Sequence, residues 1–352
     1  MRIFIITQDL EEITSEKLPW EKLFNSTILV TGASGILPSY MVETLLYLNE
    51  TKRANITVLG VVRNLEKAQR RFIHYAGRRD LILIKHDIRL PFDYAGAVDY
   101  VIHAAGQASP KFYGADPVGT LEGHAIGTAN FLSFAKEKNV KCFLYFSSCA
   151  VYGNPAEKII DENYVGKIDS MNLRSCYPLG KLIGENLCVA YNHQYGVPFK
   201  ILRIAHTYGA LMPADDGRVF SDFVANILNN ENISLNSDGR AERPMLYISD
   251  AVRAYFRILL EGKIGEAYNV VSEEYITILN LAETLVNLYP EKNLRVTFDK
   301  KISAGYIPAE KNNAGNRIAI SKLKSLGWQQ KYSIREGFDR TITSQQKQKY
   351  RA

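Results

Sequence analysis

The chain is expected to fold as an α/β protein: a Rossmann-type doubly wound parallel sheet with a smaller α/β substrate-binding lobe. Three observations predict it. Short β-rich runs alternate with stretches of helical periodicity, the signature of strands joined by crossover helices. The first run ends in the glycine turn Gly32-Ala-Ser-Gly35, and a helical pattern begins at once; such a turn lets the backbone approach a pyrophosphate at a helix N-terminus. The 352 residues, 46% hydrophobic and 23% charged, fit a soluble globular enzyme of one large domain or two lobes.

Residues 1–25 read as an N-terminal leader whose Leu18, Trp20 and Leu23 pack on the body. Residues 26–200 read as the cofactor domain, with strands at 27–31, 56–62, 81–85, 100–104, 142–147 and, at its boundary, 199–204. The periodicity predicts helices over 36–49, 65–75, 118–137 and 177–194. From 201 to 345 the order is less regular, with long loops around 213–217 and 303–315, and this stretch is expected to form mainly the substrate lobe. No internal repeat or low-complexity linker separates the two.

Lys plus Arg, 43, against Asp plus Glu, 37, leaves +6 spread along the chain, which suits anionic small ligands and argues little for nucleic acid. The four cysteines lack Cys-x-x-Cys spacing and are too sparse for a disulfide framework, so they read as reduced thiols of a cytoplasmic protein. The apolar start at Arg2–Thr7 is too short for a signal segment, and no run approaches a membrane span. The six histidines show no metal-ligand spacing, so no metal is expected.

Tyr177 and Lys181 stand four apart on a predicted helix, about thirty residues after Ser147-Ser148. On a helix such residues share a face, so the Lys181 ammonium is expected to lower the titration point of the Tyr177 phenol and make it a usable acid/base. Such a tyrosine exchanges a proton with a sugar hydroxyl while a nicotinamide exchanges the hydride. Alone, the spacing is also that of an ordinary solvated pair. The second strand ends in Val61-Val62-Arg63-Asn64 without the acidic residue that usually grips the ribose of NAD. Arg63 suits the 2′-phosphate of NADP, while Asn64 suits a plain ribose and a lone loop arginine is also read as a solvated cation. The cofactor is thus NAD or NADP, with a lean to NADP.

With Gly32 and Gly35, Asp87-Ile88, His103-Ala-Ala-Gly106, Ser148-Cys-Ala-Val-Tyr-Gly153 and Tyr177-x-x-x-Lys181 in order, the chain resembles the extended short-chain dehydrogenases of the NAD-dependent epimerase/dehydratase family, which act on nucleotide-diphosphate sugars. The resemblance runs from about residue 26 to 340, and Arg174-Ser-Cys-Tyr-Pro-Leu-Gly-Lys181 and Asp215-Asp-Gly-Arg218-Val219 look most like UDP-glucuronate decarboxylases. It implies a cofactor site of Gly32, Ser34, Gly35, Ile36, Arg63, Asn64, Asp87, Ile88, Ala104, Ala105 and Lys181. It implies that Ser148 holds the sugar hydroxyl, Tyr177 is the acid/base and Lys181 binds the nicotinamide ribose. Substrate contacts would come from Ser148, Arg174, His206, Arg218, Val219 and Arg243, the last to the diphosphate. A homodimer through helices 118–137 and 177–194 is also implied, with Val118, Leu121, Ala125, Ile126 and Leu132 as its apolar stripe.

The chain departs from the resemblance at several positions. The third glycine of the turn is Pro38, with Ala104 and Ala105 expected to make room for it. Sugar 4,6-dehydratases carry an Asp-Glu pair where Cys149 and Ala150 stand, and decarboxylases a glutamate at Ala150. Two expected asparagines are His124 and His206. Without the extra acid, hydride chemistry at C4 is the expectation: a nucleotide-diphosphate-sugar 4-epimerase, UDP-linked, working through a transient 4-keto sugar. The alternatives are an NADPH-dependent 4-keto sugar nucleotide reductase, a decarboxylase- or dehydratase-like enzyme, and a non-catalytic nucleotide-sensing module.

Overall fold

The computed structural model describes residues 4–213, 216–298 and 315–349. At its centre is a parallel sheet of seven strands: β1 Thr27–Thr31, β2 Thr57–Val62, β3 Leu81–Lys85, β4 Tyr100–His103, β5 Cys142–Ser148, β6 Phe199–Ile204 and β7 Glu266–Val270. Their order is β7-β6-β5-β4-β1-β2-β3. The order reverses between β1 and β4, so a crevice opens there at the carboxyl ends of the strands.

The central strands are near-continuous apolar runs because both faces of the sheet are covered. Ile28 and Val30 face one core with Tyr40, Leu45 and Phe256. Leu29, between them, faces the other with Val101, Phe131 and Phe143, as strict side-chain alternation requires. The expected helices form at Ile36–Lys52, Leu65–Arg71, Pro117–Lys138 and Cys176–Tyr195. The first ends at Arg53, held left-handed at φ 51°.

Of the elements not anticipated, three build the central body. Residues Phe4–Ser15 are a helix that buries Leu10 and Ile13 completely. Its Asp9 is buried and accepts hydrogen bonds from the Tyr40 and Tyr247 hydroxyls at 3.0 and 2.8 Å and from Arg340 Nη2 at 2.6 Å. Ile248–Glu261 is a helix buried along nearly its whole length. β7 adds a seventh strand from the stretch expected to serve mainly the substrate lobe. Its sequence, Glu-Ala-Tyr-Asn-Val, hides a strand because buried Asn269 satisfies its amide by bonding Tyr152 and the Ala319 carbonyl rather than by being apolar.

Above the carboxyl edge, four two-stranded pieces pair Glu242–Pro244 with Tyr275–Thr277, Leu246–Tyr247 with Thr207–Tyr208, Val296–Phe298 with Ile233–Leu235, and Arg317–Ile318 with Ile159–Ile160. The loop expected around 303–315 lies, up to residue 314, outside the described residues, as does Asp215. Among the described residues no helix is long and apolar enough to cross a membrane.

Candidate active site

One continuous cleft of about 2180 Å³ runs from the glycine turn to the two-stranded pieces. That exceeds the usual range for a single small ligand, roughly 300–1,000 Å³, and leaves room for a dinucleotide and a second ligand.

At the glycine turn, Gly32 has φ +67°, and a Cβ there would lie 2.9 Å from the Ala105 backbone. A side chain at this position is therefore excluded by both conformation and contact. Thr31 Oγ1 accepts from the Ala104 and Ala105 amides, each at 3.0 Å, and lies 3.0 Å from His103 Nδ1, which stitches β1 to β4 beneath the turn. The helix that follows starts at Gly35 without a side-chain cap, so its first amides can serve an anionic ligand. Pro38 packs over Gly35, 3.2 Å from a Cβ built there, while Ala105 packs on Gly32. Ala105 therefore leaves room for the bare backbone of Gly32.

Arg63, Asn64, Lys67 and Arg71 line the cleft at the end of β2. The Asn64 side chain accepts from the Lys67 amide at 2.9 Å and caps the next helix. This bond uses one of the two lone pairs of its carbonyl oxygen. Arg71 Nη2 donates to Ser39 Oγ at 2.6 Å. Asp87 is clasped by Arg89, whose Nη2 lies at 2.6 Å, and this hydrogen bond holds its carboxyl down at about 2.

The catalytic candidates meet where β5 ends. Ser148 Oγ caps the short turn Cys149–Tyr152, accepting from the Ala150 amide at 3.1 Å. Its hydroxyl also faces the Tyr177 phenol closely enough to lower its pKa. The Tyr177 ring stacks on Tyr113, centroids 5.1 Å apart and planes 16° apart, and meets the edge of His124 at 5.2 Å. Lys181 Nζ donates to the Phe146 carbonyl at 2.5 Å and sits 5.9 Å from the Tyr177 ring centre. The electrostatics differ from expectation. Burial pushes the Tyr177 phenol up, opposed by the Ser148 hydroxyl and by Arg218. Burial also brings Lys181 down to about 7, against the pull of Glu185. A lysine so desolvated is only partly charged near neutrality and is a weaker source of field than a solvated ammonium.

Tyr113 was invisible to sequence spacing, since only the return of the chain after β4 lays its ring on Tyr177. Glu185 carried a signal, one helical turn beyond Lys181. Its carboxylate accepts from Ser147 Oγ at 2.5 Å and from Arg203 at 3.0 and 2.7 Å, and so anchors this helix to β5 and β6.

At the far end, Arg174, His206, Arg218 and Arg243 line the cleft. Val219 does not: it opens the helix Val219–Asn229 and is 40% exposed outside the cleft. Every other residue proposed for the site from sequence borders this cleft. Six described carboxylates also border it, and each has a partner: Asp87 holds Arg89, Asp116 the Gln107 amide, Asp169 the Met171 backbone, Asp216 Arg218, Asp238 the Arg240 backbone and Glu242 Arg317. None stands at positions 149 or 150 beside Ser148.

A family model described as "NAD dependent epimerase/dehydratase family" matches residues 28–271. UDP-glucuronic acid decarboxylase 6 of Arabidopsis thaliana is 34% identical over 317 residues, covering 89% of this chain and 87% of that protein. The chain belongs to the NAD-dependent epimerase/dehydratase family. Two solved structures share its fold. UDP-glucose 4-epimerase of Thermotoga maritima, solved with UDP-glucose, has TM-score 0.76 and 22% identity over 92% of this chain and 99% of that one. UDP-glucuronic acid 4-epimerase of Bacillus cereus, solved with UDP-glucuronic acid and NAD, has TM-score 0.75 and 23% identity over 92% and 100%.

Proposed function

We propose that the chain is a UDP-sugar 4-epimerase working through a transient 4-keto sugar. The observation that carries this reading is the make-up of the cleft around Ser148, Tyr177 and Lys181. The three residues supply an acid/base and a hydroxyl for one carbon, and among the described residues no uncommitted carboxylate stands beside them. Water elimination calls for a further acid and base away from the oxidised carbon, and loss of a carboxyl group leaves a carbanion there that calls for a proton donor; Ala150 offers neither. The similarity to decarboxylases thus supports the substrate class, a UDP-linked sugar, more than their reaction.

In this reading a bound nicotinamide supplies reversible hydride transfer. The glycine turn fits its pyrophosphate, because Gly32 leaves the backbone bare and the following helix is uncapped. Ser148 orients the sugar hydroxyl. Tyr177 takes its proton and later returns it, held in place by Tyr113 and His124. Lys181, drawn to about 7 by burial, gains charge when an anionic dinucleotide enters and then bonds the ribose. Two copies pair through the helices Pro117–Lys138 and Cys176–Tyr195.

A second reading, a one-way NADPH-dependent reductase of a 4-keto sugar nucleotide, is favoured by one observation. Arg63, Lys67 and Arg71 crowd the end of β2 where an acidic residue would select NAD. Mass spectrometry of the nucleotide released on denaturing the purified protein separates the two. The epimerase reading expects a retained nicotinamide nucleotide and turnover without added reductant. Protein that arrives empty and acts only by consuming added NADPH overturns it.

A further inference from the structure

His103 and His124 are each 1% exposed, and neither borders the cleft. His103 closes β4, its ring stacked among Phe131, Phe143 and Tyr145 with centroids 5.4, 5.6 and 6.0 Å away. Its hydrogen bonds run in one direction. Thr31 Oγ1 already accepts from the Ala104 and Ala105 amides, and a hydroxyl has two lone pairs and one proton. That proton is left for His103 Nδ1, 3.0 Å away, which therefore accepts. The ring's own proton then stands on Nε2 and is donated to Thr128 Oγ1 at 3.3 Å, and the Thr128 hydroxyl donates in turn to the His124 carbonyl at 2.6 Å. The chain runs from beneath the glycine turn to the helix Pro117–Lys138. Its direction leaves no place for a second proton on His103, in line with burial and Lys181, which bring that ring down to about 3.

His124 carries the chain on to Tyr177. Its Nε2 lies 3.3 Å from the Gln107 carbonyl, which can only accept, so Nε2 holds the proton here too. That bond is long, and Nδ1 is buried with no hydrogen-bond partner among the described residues. A bare buried acceptor costs stability, so packing rather than polarity holds this ring. A Cβ built on Gly106 would lie 2.1 Å from His124 Cε1, and one on Gly180 2.9 Å from His124 Cβ. The two glycines leave a slot that the imidazole fills. Gly180 follows Tyr177 by three residues on one helix face, and the ring in the slot meets Tyr177 edge-on at 5.2 Å and 75°.

We propose that His103, Thr128 and His124 form a positioning relay that registers the Tyr177 ring against the glycine turn. The inference rests on the reading of Tyr177 as the acid/base given above. In that reading one C–OH group gives its proton to Tyr177 and its hydride to a nicotinamide held by the turn. A displacement of the phenol by about 1 Å relative to the turn then costs on the order of 10²-fold in rate. None of the three residues borders the cleft, so they act through Tyr177 and not on the ligands.

The test uses the whole protein with its nicotinamide nucleotide, and UDP-glucose or UDP-glucuronic acid carrying deuterium at C4. Thr128→Val removes the hydroxyl, Thr128→Ser keeps it, and His124→Ala empties the slot. For Thr128→Val and His124→Ala the expected result is kcat lower by about tenfold or more, KM and bound nicotinamide within a few-fold of wild type, and a larger deuterium isotope effect as hydride transfer becomes limiting. Thr128→Ser is expected to keep kcat. Wild-type kcat in either of the first two, or a loss shared by Thr128→Ser, overturns the inference and leaves the epimerase reading standing. Nitrogen NMR of isotope-labelled histidines in wild type gives a second readout, free of turnover and of any variant's folding. Both rings are expected as Nε2–H tautomers, unmoved between about pH 6 and 9; an Nδ1–H tautomer or a ring that titrates in that window contradicts the relay. Wild type that reacts with neither sugar overturns the epimerase reading, and the tautomers then decide the relay.

Discussion

At Tyr177 the phenol faces the Ser148 hydroxyl while its ring is clamped between Tyr113 and His124. Tyr177→Phe keeps the clamp and removes the proton path. It is expected to abolish turnover while leaving nicotinamide binding within a few-fold, as read by steady-state kinetics and cofactor titration; turnover within about tenfold of wild type contradicts the role. Lys181 yields a prediction on stability. Its folded value of about 7 lies below the ordinary lysine value of 10.5. Between those values the unfolded chain holds a proton that the folded chain lacks, so cofactor-free stability rises with pH across that window. Lys181→Met should therefore melt higher than wild type near pH 6.5, with the gain shrinking toward pH 10, while activity is lost. A lower melting temperature at pH 6.5 would show that the bond to Phe146 outweighs the burial of the charge. Much of this scale was legible in advance because helical spacing alone puts Tyr177 and Lys181 on one face. Their electrostatics were not, because burial depends on the ring of Tyr113 and on the strand carbonyl of Phe146, neither of which has a sequence spacing to Tyr177.

The strands β1 to β6 could be read almost residue for residue, since buried parallel strands are apolar throughout and each is followed by a turn signal. What escaped was held by polar contacts. The helix Phe4–Ser15 lies in the stretch that reads as a leader, where the apolar run stops at Gln8 and Asp9. Yet Asp9 is sealed in by Tyr40, Tyr247 and Arg340, and Glu16, just past its end, pairs with Arg253 and Arg257 at 2.6 and 2.7 Å. This helix joins three parts of the chain: the helix Ile36–Lys52, the helix Ile248–Glu261 and the C-terminal helix Ile334–Lys349. Leu10, fully buried in it, should cost about 2–5 kcal/mol on replacement by alanine through lost burial and the cavity left behind. Chemical denaturation checks this, and a change under about 1 kcal/mol would mean that the helix contributes little to the folded body.

Across the whole molecule, the pair of helices Pro117–Lys138 and Cys176–Tyr195 leaves an apolar outer face. Val118, Ile126, Ile183 and Val189 are 65%, 45%, 43% and 51% exposed. Leu132, counted on that stripe from the sequence, points into the core instead and is fully buried. An outer face of this kind suits self-association. Light scattering at micromolar protein should give twice the mass of 39.7 kDa, and Ile183→Asp should shift the protein toward monomer; a monomeric wild type contradicts the pairing.

The shape of the cleft, with cations at both ends and committed carboxylates along it, leads to the central claim that the chemistry stops at C4. The most direct measurement is an NMR time course of the purified protein with NAD or NADP and, separately, UDP-glucose, UDP-glucuronic acid and dTDP-glucose, with released carbon dioxide trapped and counted. The expected result is a C4 epimer from a UDP-linked sugar, no carbon dioxide from UDP-glucuronic acid, and no 4-keto-6-deoxy product from dTDP-glucose. Carbon dioxide released by the unmodified protein would contradict the account, because the carbanion it leaves at C5 would have to take a proton from a donor that the residues around Ser148 and Ala150 do not supply.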